Sequence, residues 1–216
     1  MSKKIIALNG SANKHRNSAS MLDSFIEGIR AVSPDAEIER VDVFDLDYKG
    51  CRGCMGCGLK SRKGIGCVQR DGASELLERM RAADGIVFAT PVYFWEPSAQ
   101  LKCLLERFIY PGELDHHIEI AAIYTMYQPE IVSEVKLPLH AQALSGNAKG
   151  FLKNINWTEL AVNQTQTWES GKSDIYISPG PEAAAISEEI RAKRWPSDLE
   201  RGKKAGAEFA KRLAKI

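Results

Sequence analysis

Short apolar runs alternate with stretches of helical periodicity along the chain, the pattern of strands each followed by a covering helix and hence of a parallel sheet. The first predicted strand, Lys4 to Leu8, holds Ile5-Ile6-Ala7-Leu8, and the helix after it, from about Ser18 to Val32, carries Leu22, Phe25, Ile26 and Ile29 on one face. Ser33-Pro34-Asp35 ends that helix. A second strand, Glu37 to Val43, alternates at Ile38, Val41 and Val43, as expected near a sheet edge with one wet face. Ala73 to Ala83 predicts a helix with Leu76, Leu77 and Met80 inward, and the unbroken Gly85-Ile86-Val87-Phe88-Ala89-Thr90 predicts a central strand. Leu101, Leu104, Leu105 and Phe108 mark a third helix, and Ile118 to Tyr124 a fourth strand. Residues 128–153 read as helical but interrupted by Pro138 and Gly146, and Thr158 to Thr167 is the expected fifth strand. After the turn-rich Ser178-Pro179-Gly180-Pro181 come a short helix, Glu182 to Arg194, then Pro196, then a last helix from near Asp198. Leu199, Gly202, Gly206, Phe209, Leu213 and Ile216 form its apolar face, and the small residues predict close packing onto the sheet.

Composition bounds the reading without changing it. A chain of 216 residues, 44% hydrophobic and 26% charged, is expected to form a single α/β domain over residues 1–216 with a full-sized core. A formal net charge of +1 supplies no global field for nucleic acid or an anionic membrane surface, so the expectation is a pocket protein with neither as partner. The start, Met1-Ser2-Lys3-Lys4, is charged, but the apolar run behind it is too short for a signal peptide or a membrane span, and a soluble, cytoplasmic protein is expected.

The loop Asn9-Gly10-Ser11-Ala12-Asn13-Lys14-His15-Arg16-Asn17-Ser18-Ala19-Ser20 lies between the first strand and the first helix and reads as a phosphate cradle. Gly10 permits the tight exit from the strand, while hydroxyls, amides and the N–H groups of the following helix offer a cluster of donors. An ordinary strand-to-helix loop with Ser18 as N-cap is the plainer alternative. Gly10 is the only glycine before Gly28, which disfavours a dinucleotide fingerprint. The Gly171-Lys172-Ser173 triplet follows no glycine loop behind a strand, which disfavours a P-loop. A monophosphate remains, as in the flavin mononucleotide sites of doubly wound sheets. In such sheets ligands sit beyond the carboxyl ends of the strands, where Pro91, Val92, Tyr93, Phe94 and Trp95 would also lie, restrained by Pro91 and Pro97 and offering ring faces and backbone N–H groups to a flat heterocycle. An aromatic cluster capping the core or forming a subunit interface is the alternative there.

These residues carry a resemblance. Gly10-Ser11-Ala12-Asn13-Lys14-His15-Arg16-Asn17-Ser18 resembles the flavin phosphate loop of NAD(P)H-dependent FMN reductases, with Ala12 and Asn13 where that family usually has Pro and Arg, and Arg16 where it has Gly. Thr90-Pro91-Val92-Tyr93, followed by Ser98 to Lys102 and Glu106-Arg107, is similar to its second signature. The resemblance implies a flavodoxin-like three-layer sandwich with a five-stranded parallel sheet in the order 2-1-3-4-5. It also implies FMN as cofactor, NAD(P)H as co-substrate, and a homodimer or higher homo-oligomer. Ser11, Asn13, Lys14, Asn17, Ser18 and Ala19 would then serve the phosphate side, Pro91 to Trp95 the ring, and Thr125 would border the flavin. No side-chain acid or base is expected, because hydride chemistry belongs to the cofactor.

Cys51, Cys54 and Cys57, with Cys67 after a longer gap, resemble the compact cysteine motif of iron–sulfur flavoproteins. Four thiolates suit a 4Fe-4S cluster, and Gly50, Gly53, Gly56, Gly58, Gly64 and Gly66 would let backbone wrap it closely. Free redox-active thiols and a structural zinc are the two other readings of this loop. Cys103 is expected to be a buried small hydrophobe, and His116, His117 and His140 surface residues. Two functions follow: an NAD(P)H-dependent reductase passing electrons through FMN to a quinone, aromatic, flavin or protein acceptor, or an electron-transfer protein with a cluster on the four cysteines.

Overall fold

Five parallel strands, β1 (Lys4–Asn9), β2 (Glu37–Asp42), β3 (Gly85–Tyr93), β5 (Ile118–Thr125) and β6 (Ile155–Val162), form one sheet in the order β2-β1-β3-β5-β6 in a computed structural model. The structure describes residues 2–58, 66–94, 96–109, 116–126, 155–162 and 181–215. Among the five long strands this is the expected flavodoxin-like order. Its addition is β4 (Glu96–Pro97), a two-residue strand antiparallel to the end of β3.

The sheet is covered on both faces, which explains the unbroken apolar runs. Successive side chains of a strand point to opposite faces. Ile6, Leu8, Ile86, Phe88, Ile120 and Tyr124 therefore enter one core half with α2 (Ser74–Arg81) and α3 (Ala99–Ile109). Ile5, Ala7, Val87, Ala89, Ala121 and Ile123 enter the other, with α1 (Asn17–Val32) and α4 (Pro181–Leu213). β3 is the middle strand and is buried from Gly85 to Thr90, whereas the edge strand β2 is only partly covered. The register pairs Asn9 with Asp42 and Ala89, and Pro91 with Thr125, so the carboxyl ends of β1, β3 and β5 share one rim.

Three expectations change. The two C-terminal helices are one, running through Pro196, which is exposed. A proline removes a single helical N–H bond and can be accommodated where tertiary contacts hold the turns on either side. The fifth strand begins at Ile155 rather than Thr158, because its partner β5 sets the register from Ile118↔Ile155 to Thr125↔Val162; residues 163–167 lie outside the described residues. The glycines of α4 face α1 rather than the sheet: a Cβ on Gly206 would lie 2.0 Å from the Phe25 carbonyl oxygen, and one on Gly28 1.9 Å from that of Lys203. Phe209 and Leu213 reach the sheet over Gly85, and Arg212 reaches Glu119 on β5. The interrupted helical reading of 128–153 falls outside the described residues. Among the described residues no helix is long and apolar enough to cross a membrane.

Candidate functional site

The turn after β1 is built by its own side chains. Gly10 donates its N–H to Ala89 O at 2.7 Å, and a Cβ there would stand 2.9 Å from Leu101 Cδ2, so only glycine lets the chain pass between β3 and α3. The buried Asn9 accepts the Ser11 N–H on Oδ1 (3.1 Å) and donates from Nδ2 to Asp42 Oδ1 (2.7 Å). Ser11 Oγ then accepts the Asn13 N–H (3.1 Å), and Asn13 Oδ1 the His15 N–H (3.2 Å). From below, the buried Ser98 donates Oγ–H to Gly10 O (2.5 Å) and its own N–H to Thr90 Oγ1 (3.0 Å). These bonds hold the loop from both sides.

At the loop's end α1 begins with Arg16 at the N-cap, which makes no side-chain cap, and its first turn carries no acid. First-turn N–H groups have no helical acceptor and carry the positive end of the helix dipole. They border a cavity of about 420 Å³ at the rim of the sheet. Ser11, Asn13, Arg16, Asn17 and Ser18 form one wall, Pro91, Val92 and Tyr93 another, and Thr125 and Met126 complete it from the end of β5. The buried hydroxyls of Ser18 and Thr125 hydrogen-bond at 2.7 Å, tying α1 to β5.

The hairpin after β3 is tight. Val92 pairs with Pro97 and Tyr93 with Glu96, Lys102 Nζ holds Glu96 Oε2 at 2.7 Å, and Phe94 turns the corner with φ of 49°. That left-handed conformation is rare for a large side chain. Tyr93 is 61% exposed and Phe94 fully so.

Several expected site residues are thus brought together, namely Ser11, Asn13, Asn17, Ser18, Pro91, Val92, Tyr93 and Thr125. Three are not. Lys14 turns away to Asp45 (2.6 Å), a bond that raises its pKa, and Ala19 is buried in the core behind the wall. Phe94 stands at the hairpin tip. Trp95 lies outside the described residues. Arg16, which stands where the resembling family has glycine and is with Lys14 one of two candidates to replace that family's missing arginine, joins the wall, as does Met126, which lies two residues past the predicted strand and was not singled out.

The cysteine loop is anchored at its base. Gly72 N–H bonds Asp47 O (3.0 Å), and the fully buried Arg107 side chain donates Nη1 to both Asp71 oxygens (2.9 and 2.6 Å) and to Lys49 O (3.1 Å), and Nη2 to Gln69 O (3.3 Å). Burial acts against the Asp71 carboxylate, but Arg107 and the Ala73 N–H outweigh it and hold the pKa below its usual value. Tyr48, whose hydroxyl donates to Gln100 O at 2.8 Å, has its pKa pushed up by burial. Cys51 and Cys54 are exposed, and Cys57, Cys67 and Cys103 half-buried, so Cys103 is less enclosed than its sequence suggested. The Gly56 N–H and Arg52 lower the Cys54 pKa, while burial raises that of Cys57, with Cys67, Cys51 and Cys54 adding to it. Among the described residues no three Cys, His, Asp or Glu side chains are grouped to hold a metal ion.

His116 and His117 are half-buried rather than superficial: His116 Nε2 lies 3.0 Å from Ala83 O, and His117 Nε2 3.7 Å from the buried Glu119. His140 lies outside the described residues.

A family model described as NADPH-dependent FMN reductase matches residues 3–127. An iron–sulfur flavoprotein of Archaeoglobus fulgidus is 38% identical over 104 residues, 48% of this chain and 48% of that protein, and further matching relatives carry the same description. The chain therefore spans about half the length of the curated relatives it matches first. An NAD(P)H:quinone oxidoreductase from Methanothermobacter marburgensis superposes with a TM-score of 0.62 at 17% identity, covering 97% of this chain and 98% of that one. A flavodoxin, WrbA-like protein from Agrobacterium tumefaciens gives a TM-score of 0.54 at 14% identity, covering 99% of each. At these identities the structural likeness shows the fold alone.

Proposed function

The chain belongs to the NADPH-dependent FMN reductase family, a flavin oxidoreductase family, and from that premise we propose that it binds FMN in the cavity between the β1–α1 loop and the β3–β4 hairpin. One observation carries the reading: Ser11 and Tyr93, 82 residues apart in the chain, line the same cavity at the carboxyl rim of the sheet.

The residues fit a flavin mononucleotide. Ser11, Asn13, Asn17 and the start of α1 present hydroxyl, amide and N–H groups to a phosphate, and Pro91, Val92 and Tyr93 present backbone and apolar surface to a ring. Thr125 and Ser18 anchor each other between the two. When bound, FMN supplies the electron chemistry, with NAD(P)H as donor and a quinone, aromatic, flavin or protein as acceptor. The chain's own part would be to hold and orient the cofactor, with the exposed Tyr93 in the cavity wall. A homodimer belongs to this reading, with the exposed aromatic hairpin as part of its contact.

A second reading is favoured by the crowding of Cys51, Cys54, Cys57 and Cys67 into one loop and by relatives described as iron–sulfur flavoproteins. In it Cys51, Cys54, Cys57 and Cys67 hold a 4Fe-4S cluster, and the chain is an electron-transfer protein. The donor chemistry suits such a cluster. Among the described residues the thiols do not converge on a common centre.

The test is anaerobic purification with an absorption spectrum and cofactor analysis. A yellow protein with about one FMN per chain and no iron supports the reductase. A brown protein with iron and sulfide near four per chain supports the cluster reading. Protein that retains no FMN when the cofactor is supplied overturns both.

A further inference from the structure

A chain of buried hydroxyl groups leaves the β1–α1 loop at one end and returns to it at the other. Ser98, the residue before α3, donates Oγ–H to the Gly10 carbonyl (2.5 Å) and its own N–H to Thr90 Oγ1 (3.0 Å). The Thr90 hydroxyl donates to Pro91 O (2.9 Å), and the Thr90 carbonyl accepts from Thr125 Oγ1 (3.4 Å). Thr125 then meets the Ser18 hydroxyl at 2.7 Å, in the first turn of α1. Ser98, Thr90, Thr125 and Ser18 are all buried, so water does not compete for these bonds.

We infer that Ser98 is a positioning residue: by bonding Gly10 and Thr90 at once it sets the distance between the two walls of the cavity, so that the site favours a flavin long enough to reach both. This rests on the reading of the cavity as a flavin site. The β1–β3 ladder ends at Asn9↔Ala89, with one further bond from the Gly10 N–H to Ala89 O. Past that point one wall continues through Ser11, Asn13 and Asn17, and the other through Pro91, Val92 and Tyr93. Ser98 joins them where they part. A ligand that touches both walls gains when their spacing is held in advance, because the walls need not be ordered as it binds. A ligand that touches one wall is indifferent to that spacing.

The tie is itself held. The Lys102 N–H bonds Ser98 O (2.9 Å) and the Leu101 N–H reaches Ser98 Oγ (3.4 Å), so the first turn of α3 fixes the residue from behind. A hydroxyl can donate once while accepting, which is what this position uses: Oγ–H goes to Gly10 and the oxygen receives Leu101.

The experiment titrates flavin-free protein with FMN and with lumiflavin, the same ring without the ribityl chain and phosphate, following quenching of flavin fluorescence. The proteins are the unmodified chain, Ser98→Ala and Thr90→Val, which cut the tie at different atoms. Each variant is expected to weaken FMN binding roughly five- to thirtyfold, the size of one lost buried hydrogen bond, and to leave lumiflavin within about twofold. A fold that is merely weakened lowers both affinities together, so the ratio of the two separates positioning from structure. Thr90→Val leaves the Ser98 hydroxyl on Gly10 and Leu101, and carries the test should Ser98→Ala not fold. Three results overturn this assignment alone: equal losses for the two flavins, FMN binding untouched by Ser98→Ala or by Thr90→Val, and an unmodified chain that holds lumiflavin as tightly as FMN. Binding of neither flavin by the unmodified chain overturns the cavity reading and this assignment with it.

Discussion

Replacing Gly206 by alanine tests how closely α4 packs on α1. In isolation the change favours the helix, because alanine is about 0.8–1 kcal/mol better than glycine in a helix interior. The structure sets a larger opposing cost. The new Cβ would lie 2.0 Å from the Phe25 carbonyl oxygen and 2.8 Å from its carbonyl carbon, both backbone atoms of α1. A carbon and a carbonyl oxygen rest at about 3.3 Å or more, so α4 must withdraw by roughly 1.3 Å at this point. Withdrawal lifts Phe209 from Phe25, whose ring centroids are 5.5 Å apart, and a radial gap of 0.5–1 Å already forfeits a quarter to a half of the dispersion well. Overpacking of this kind costs about 1–3 kcal/mol, and backbone that cannot rotate away puts the cost at the upper end. The net effect is a loss of about 2 kcal/mol, or a fall of about 4–8 °C in Tm for a chain of this size. Thermal unfolding of flavin-free protein by circular dichroism measures it, with Lys204→Ala, at an exposed position of the same helix, as control. A Gly206→Ala protein that melts at or above the unmodified one would refute the close helix contact.

Other consequences follow from the site and its supports. Ser11→Ala combined with Ser18→Ala should weaken FMN retention during gel filtration, since one removes a cavity hydroxyl and the other leaves Thr125 buried without its 2.7 Å partner; retention equal to that of the unmodified chain counts against the cradle. Arg107→Met should destabilise the protein by about 3 kcal/mol, because it strands Asp71, which is only 24% exposed, and frees the Lys49 and Gln69 carbonyls, and chemical denaturation should show it as a lower midpoint. Asp71 has a folded-state pKa below its unfolded value, so its contribution is present above the unfolded value near 4 and is lost as pH falls through the folded one. Asp71→Asn should therefore cost stability at pH 7 and flatten its decline on acidification, and parallel acid limbs for the two proteins would contradict the pairing.

Much of the architecture was legible in the order of residues, because the signals that specify it are local. Alternation and unbroken apolar runs separate edge from central strands, so β2 could be placed outside and β3 in the middle before any coordinates. The β1–α1 loop and the Pro91 to Tyr93 hairpin likewise declared themselves through glycine, hydroxyl and proline chemistry within a few residues. What the residue order left open depends on partners far along the chain. Lys14 and Arg16 are two positions apart and carry the same charge, yet Asp45 draws the first away while the second lines the cavity. Pro196 has the local signature of a break, and the helix runs through it. Gly206 announced close packing, but that its partner is α1 rather than the sheet, with Gly28 meeting Lys203 in return, is fixed only where the two helices meet. Periodicity and turn chemistry act over a few residues and can be read in one dimension. Which charge faces a ligand and which glycine meets a backbone are fixed by surfaces that exist only once the sheet has brought distant segments together.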